Sequence, residues 1–179
     1  IPKGKGYATT ELVPLRPNQE YLNLTFFSYL LRGDDFVTYA NTISSGTKMP
    51  RMPLNDLRNF QCILPPMEEQ LKFEKVAEQA DKSEFVGFKS QFIEMFGTLD
   101  EPKVEVKKLI DVVLSSGQYG SNTSATDYQD GKPRYIRITD INDDGSLNDD
   151  IKTAEVIEDK YKLIPGDIVF ARTGATVGK

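Results

Sequence analysis

The sequence predicts an α+β protein in which two regions of short strands and helices flank one long helix. Three observations predict it. Residues 1–66 are cut into short segments by Pro14, Pro17, Pro50, Pro53, Pro65 and Pro66, and proline is among the strongest punctuators of local structure. Residues 67–97 contain no proline and carry apolar side chains at three-to-four spacing, the period of an amphipathic helix. Residues 98–179 alternate polar and apolar positions in short runs separated by glycine-containing turns, the pattern of a mainly β region.

Taken in order, ELVPLRP reads as a short edge strand, where proline is tolerated. Asn23 is a suitable cap for LTFFSYLL, which places Leu24, Phe27, Leu30 and Leu31 on one helical face. A second short helix follows Gly33 over residues 34–43, SSGTKMPRMP is loop, and FQCIL before two prolines is a strand. The long helix opens with Glu68 and Glu69, acids suited to a helix N-terminus, and closes at Gly97, a fitting C-cap. Residues 67–96 as one helix would span about 45 Å. Leu71, Phe73, Val76, Ala80, Phe85, Phe88, Phe92 and Phe96 form its apolar stripe, broken in phase near Ser83. A helix that long with one greasy stripe calls for a partner helix; an ordinary helix packed on its own domain is the alternative. Beyond it, KVEVKKLIDVVL mixes alternation with a short amphipathic pattern, and SSGQYGSNTSATDYQDGKP is a long polar loop. RYIRITDI reads as a strand, NDDGSLNDD as an acidic turn, and YKLIPGDIVFAR as a turn followed by a strand.

Composition removes much of the enzyme repertoire. The 179 residues are 39% hydrophobic and 27% charged, enough for a real core. Histidine is absent and Cys62 is the only cysteine. Imidazole ligands, histidine acid–base chemistry, internal disulfides and cysteine zinc sites are therefore all excluded. No apolar run approaches the ~20 residues of a membrane span, and the opening IPKGKGYATT lacks the apolar stretch of a secretory signal. A cytoplasmic protein without membrane partners is the expectation. The net charge of −5 is unevenly spread: residues 140–159 hold eight acids against Lys152 alone. Small basic groups stand elsewhere, pairing Lys48 with Arg51, Arg134 with Arg137, and Arg172 with Lys179. Such patches on an acidic protein can still meet phosphates.

No motif completes a catalytic or metal site. TGATVGK lacks the spacing of a phosphate-binding loop and the hydroxyl that would hold magnesium. DINDDGSLNDDI matches a calcium loop at several positions, but Ile151 stands where the bidentate glutamate belongs. Glu105 and Lys107 form an isolated E-x-K, without the Pro-Asp half of a nuclease metal site. The expectation is a non-catalytic chain with neither metal nor cofactor of its own.

Several phrases in one order carry a resemblance: ELVPLRPN, SGTKMPRMPLNDLRNFQCILPPMEEQ, the helix ending EMFG, VEVKKLIDVV, YIRITDI followed by DG, and PGDIVFARTGATVGK. Together they resemble the DNA specificity subunit of type I restriction-modification systems over nearly the whole chain. In that family each target recognition domain reads half of a split DNA site, and each is followed by a long helix that pairs with its counterpart as a spacer. The resemblance implies that residues 1–66 are the C-terminal half of one recognition domain, 67–97 the coiled-coil spacer helix, and 98–179 the N-terminal half of the next. The chain thus reads as a half-subunit-like or circularly permuted segment.

If the long helix holds the halves apart, two chains pairing antiparallel would complete them, giving a homodimer with two composite recognition domains; the competing arrangement, a helix broken at Gly87 that folds both halves together in one chain, needs a kink for which the sequence gives little support. Double-stranded DNA, a methylation subunit and a restriction subunit are the implied partners. S-adenosylmethionine, ATP and magnesium would belong to those subunits. Residues suited to bases or phosphates are Lys48, Arg51, Ser116, Gln118, Tyr119, Asn122, Arg137, Arg172, Thr173 and Lys179. The alternative function is a coiled-coil adaptor that scaffolds proteins and touches no DNA.

Overall fold

The computed structural model describes residues 6–44, 51–79, 85–115, 117–142 and 145–172, with residues 85–88 as backbone alone. The first region opens with strands β1 (Gly6–Ala8) and β2 (Leu12–Leu15). The Asn23 side chain caps α1 (Leu24–Arg32) by accepting the Phe26 N–H at 3.0 Å. Helix α1 buries Phe26, Phe27, Leu30 and Leu31. Helix α2 (Asp34–Ile43) follows Gly33, and α3 (Leu54–Asn59) leads into β3 (Gln61–Leu64).

The proline-free segment forms two helices, α4 (Met67–Gln79) and α5 (Phe85–Phe96). A single rod from Met67 onward would hold Phe73 and Phe92 about 28 Å apart. Their ring centroids are instead 5.3 Å apart, and Phe73 lies 5.8 Å from Phe96. Helix α5 is therefore folded back beside α4, and the long helix expected from the sequence is not shown among the described residues. The physical reason is the stripe itself. Phe73 and Phe96 are 0% and 1% exposed because they pack with Phe26 of α1 and with each other, inside the core of their own chain. Each fully buried ring contributes about 1.5–3 kcal/mol, with further gain from the edge-to-face geometry of the pairs. Leu71, at 43% exposed, lies off this cluster, and Val76 is half-buried. Ala80 and the side chains of Phe85 and Phe88 lie outside the described residues.

The second region supplies β4 (Glu105–Lys108), α6 (Leu109–Val112), β5 (Ala125–Asp127), β6 (Arg134–Ile136), β7 (Lys152–Ala154), β8 (Lys162–Leu163) and β9 (Ile168–Ala171). Every sheet joins a strand from before the helical pair to strands from after it. The largest runs β5-β7-β6-β1-β8, with β1 parallel to β6 and antiparallel to β8. Among the described residues strand β2 pairs only with β9, which satisfies the expectation of an edge strand around Pro14, here opposite Val169. Strand β3 pairs with β4. Residues 6–66 and 98–172 thus interlock within one chain. These registers join the two halves within one chain, as the arrangement with a broken helix requires.

RYIRITDI is a strand only over its first three residues, because Ile138–Asp140 turns into a 3-10 helix. Gly97 ends α5 at φ +79° with its N–H on Ile93 O at 2.8 Å, as its place after the helix predicts.

The Pro-Pro-x-Glu-Glu-Gln start of α4 has a structural explanation. Gln70 is 0% exposed. Its Nε2 donates to Tyr21 O and Pro65 O, both at 2.8 Å, and its Oε1 accepts the Asn23 N–H at 2.8 Å. One turn on, Glu74 accepts from Thr25 Oγ1 at 2.7 Å and Asn23 Nδ2 at 3.0 Å. Gln70 thereby fixes the start of α4 against the start of α1. Replacing Gln70 with Ala leaves two carbonyls and an N–H unpaired, so unfolding free energy in urea should fall by about 2–3 kcal/mol. Replacing exposed Leu71 with Ala should change it far less, and a Gln70→Ala loss under ~1 kcal/mol would refute this role.

Candidate nucleic-acid interface

Arg172 stands at the end of β9, where the two regions meet. Its backbone N–H donates to Glu11 O at 3.0 Å and its carbonyl accepts the Met52 N–H at 3.1 Å. The position is thus held from both sides by the first region. Its guanidinium is largely buried, the residue being 8% exposed. Nε reaches Thr10 O at 3.3 Å and Nη1 reaches Met52 O at 3.4 Å, both long bonds to neutral carbonyls. The Tyr119 ring lies against it, with the guanidinium carbon 4.0 Å from the ring centroid. No ion pair joins Arg172 to a carboxylate among the described residues, although buried charges are ordinarily paired. Burial, with the nearby Arg51 charge adding to it, lowers the Arg172 pKa from its ordinary value. Arg51 itself is exposed. Two cations therefore share a place in which no described carboxylate neutralises the buried one.

Tyr119 is carried by a loop that is fastened along its length. Gly117 O accepts from Arg58 Nη2 at 3.4 Å, and Gln118 Nε2 donates to Lys160 O at 2.7 Å. Ser121 N–H donates to Ala8 O at 2.7 Å, and its carbonyl accepts from Tyr135 Oη at 2.7 Å. Gly120 sits so close to β1 that a Cβ would fall 2.1 Å from Ala8 O, which only glycine permits. The side chains of Gln118, Tyr119 and Asn122 are left on the exposed side. Beneath Gln118 lies a polar cavity of about 410 Å³ lined by Arg16, Lys160, Lys162 and Asp167 among others. Arg16 is fixed there by a bidentate pair with Asp167, at 2.7 and 2.9 Å.

Arg137 belongs to a different arrangement. Its Nε and Nη2 bind the Asp140 carboxylate, at 3.0 and 2.5 Å, and Nη2 also reaches Asp150 Oδ2 at 2.7 Å. The Asp140 and Asp150 hydrogen bonds, in that order, raise the Arg137 pKa above its ordinary value. The bond from Arg137 lowers the Asp150 pKa in return. The Asp150 link is thus present at neutral pH and is lost only as pH falls through the lowered aspartate value. The expectation that Arg137 meets phosphate or guanine is corrected: two acids of its own chain occupy its guanidinium. The same pairing commits Asp140, the first position of the calcium-loop match, while Gly145 at φ +81° donates to Asn142 O in a tight turn.

The structure therefore brings Arg51, Arg172 and Tyr119 together, sets Gln118 and Asn122 on the same loop, and places Arg137 in an acidic network. Lys48, Ser116, Thr173 and Lys179 lie outside the described residues. Sequence reasoning missed Arg58, which fastens the loop, and Gly120, which lets it approach β1. The only signal for the latter was a pair of glycines bracketing Gln118 and Tyr119. Cys62 offers no chemistry to the site. It is 0% exposed, and burial together with Asp111 pushes its thiol up to about 12.

No helix among the described residues is long and apolar enough to cross a membrane, and among them no group of three or more metal-ligating side chains assembles. No family model, curated protein or solved structure matches the chain.

Arg137→Ala separates the two arrangements. It leaves the fully buried Asp140 carboxylate without its cation, so it should lower unfolding free energy by about 3 kcal/mol in urea. The salt dependence of DNA binding should not change. A DNA-binding loss with unchanged stability would reverse the assignment.

Proposed function

We propose that this chain is the sequence-reading DNA-binding subunit of a type I restriction-modification complex, non-catalytic, directing methylation and restriction subunits to a split target site. The observation that carries the proposal is the Arg172–Arg51 pair. A buried guanidinium held by neutral carbonyls and a ring, beside an exposed second cation, is a place prepared for an external anion. The DNA backbone supplies one at regular spacing. Gln118 and Asn122, on the same fastened loop, bring amides of the kind that bond base edges. The order of sequence phrases that resembles the specificity subunit supports the same reading. S-adenosylmethionine, ATP and magnesium belong to the partner subunits in this proposal.

The coiled-coil adaptor reading is weakened, because Phe73, Phe92 and Phe96 spend their apolar faces on each other and on Phe26. The antiparallel homodimer acquires a different meaning. If α4 and α5 opened into one rod, two chains could exchange halves and rebuild the same sheets in trans, with Arg51 and Arg172 of each site coming from different copies.

The test is selection of a randomised duplex library by the purified chain, with and without the methylation subunit, at two salt concentrations. A retained sequence motif supports the reading, and a symmetric split motif accompanied by a dimer mass supports the exchanged form. Arg51→Ala should weaken binding to all sequences alike and reduce the salt slope by about one. No enrichment in any condition would defeat the proposal and favour the adaptor.

A further inference from the structure

Tyr119 offers more than a lid over Arg172. The guanidinium covers one face of its ring at 4.0 Å from the centroid, yet the residue keeps 42% of its surface exposed. The guanidinium takes one face, so what the ring can still offer a ligand is its other face. The loop that carries the ring lies close to the sheet: a Cβ added at Gly117 (φ +69°) would stand 3.4 Å from the Val13 side chain and 3.5 Å from that of Leu15, and one at Gly120 would fall 2.1 Å from Ala8 O. An aromatic face that is already fixed loses little conformational entropy when something stacks on it. A cation on the far side draws π density toward itself, so the open face suits an electron-rich planar partner. Arg51 adjoins Met52, whose N–H and carbonyl both bond to Arg172, and so provides positive charge for a phosphate alongside.

We propose that Tyr119, backed by Arg172, is a stacking platform for a nucleobase that has left the double-helical stack. The inference rests on the DNA-reading proposal and adds to it the class of ligand at this spot. A stacked duplex hides its base faces, so a ring face can be met only by an unpaired or extruded base. Stacking of this kind tolerates sequence and works together with backbone cations.

The test is fluorescence anisotropy of the full chain on a duplex carrying one central unpaired adenine and on the same duplex fully paired. The wild-type chain should bind the unpaired form about tenfold more tightly. Tyr119→Phe should keep that preference. Tyr119→Ala should abolish it, so that the paired and unpaired duplexes bind with equal affinity. With 2-aminopurine at the unpaired position, fluorescence should be quenched by wild type and by Tyr119→Phe, and not by Tyr119→Ala. Tyr119→Leu keeps bulk over Arg172 without a ring, and should behave as Tyr119→Ala even if the smaller residue impairs folding. Equal affinity of the wild-type chain for both duplexes, or a preference that survives loss of the ring, would overturn this inference alone. Failure to bind either duplex, both alone and with the methylation subunit present, would overturn it together with the DNA-reading proposal.

Discussion

Four phenylalanine rings close the turn-back of the helical segment, and the rest of the fold depends on that closure. Phe26 of α1, Phe73 of α4, and Phe92 and Phe96 of α5 lie with centroids between 5.1 and 6.4 Å of one another. With α5 folded beside α4, β4, β6, β8 and β9 reach β3, β1 and β2 of the same chain. Gln70 and Glu74 reinforce the same junction from its polar side by bonding to Tyr21, Asn23 and Thr25. Apolar burial thus brings the helices together, and directional hydrogen bonds fix where along α1 they meet.

The candidate interface is a product of this closure. Arg172 comes from the last described strand, while Thr10, Glu11 and Met52, which hold it, come from the first region. Tyr119 reaches it because Gly120 allows the loop to lie against β1. Charge is partitioned along the same lines. Arg137, Arg16 and Lys152 are matched by Asp140, Asp167 and Asp127, whereas no described carboxylate pairs with Arg172. On an acidic chain, a cation left unmatched in a confined place is more informative than net charge.

Several elements were legible because their causes are local. The Asn23 cap, the break at Gly33, the edge position of the Pro14 strand and the turn at Gly97 all follow from the conformational limits of one or two residues. The α+β class followed from periodicity. Arg51, Tyr119 and Arg172 were recognisable as candidates by side-chain chemistry, but nothing in the residue order indicated that they share one place. Arg137 was misread for the complementary reason: Asp140 and Asp150 looked like members of an acidic turn, and their pairing with it depends on the chain bending into a 3-10 helix.

The amino-acid sequence alone therefore determined the class, the caps and breaks, the apolar stripe and the supply of cations and amides, since these arise from residue type and short-range spacing. Only the tertiary structure decided what the stripe packs against. A stripe of phenylalanines satisfies a second copy or its own chain equally well, because apolar burial has no direction and carries no record of which molecule supplies the partner face. That choice in turn decided that both halves of the domain close within one chain, and that Arg172 and Tyr119 face each other beside Arg51.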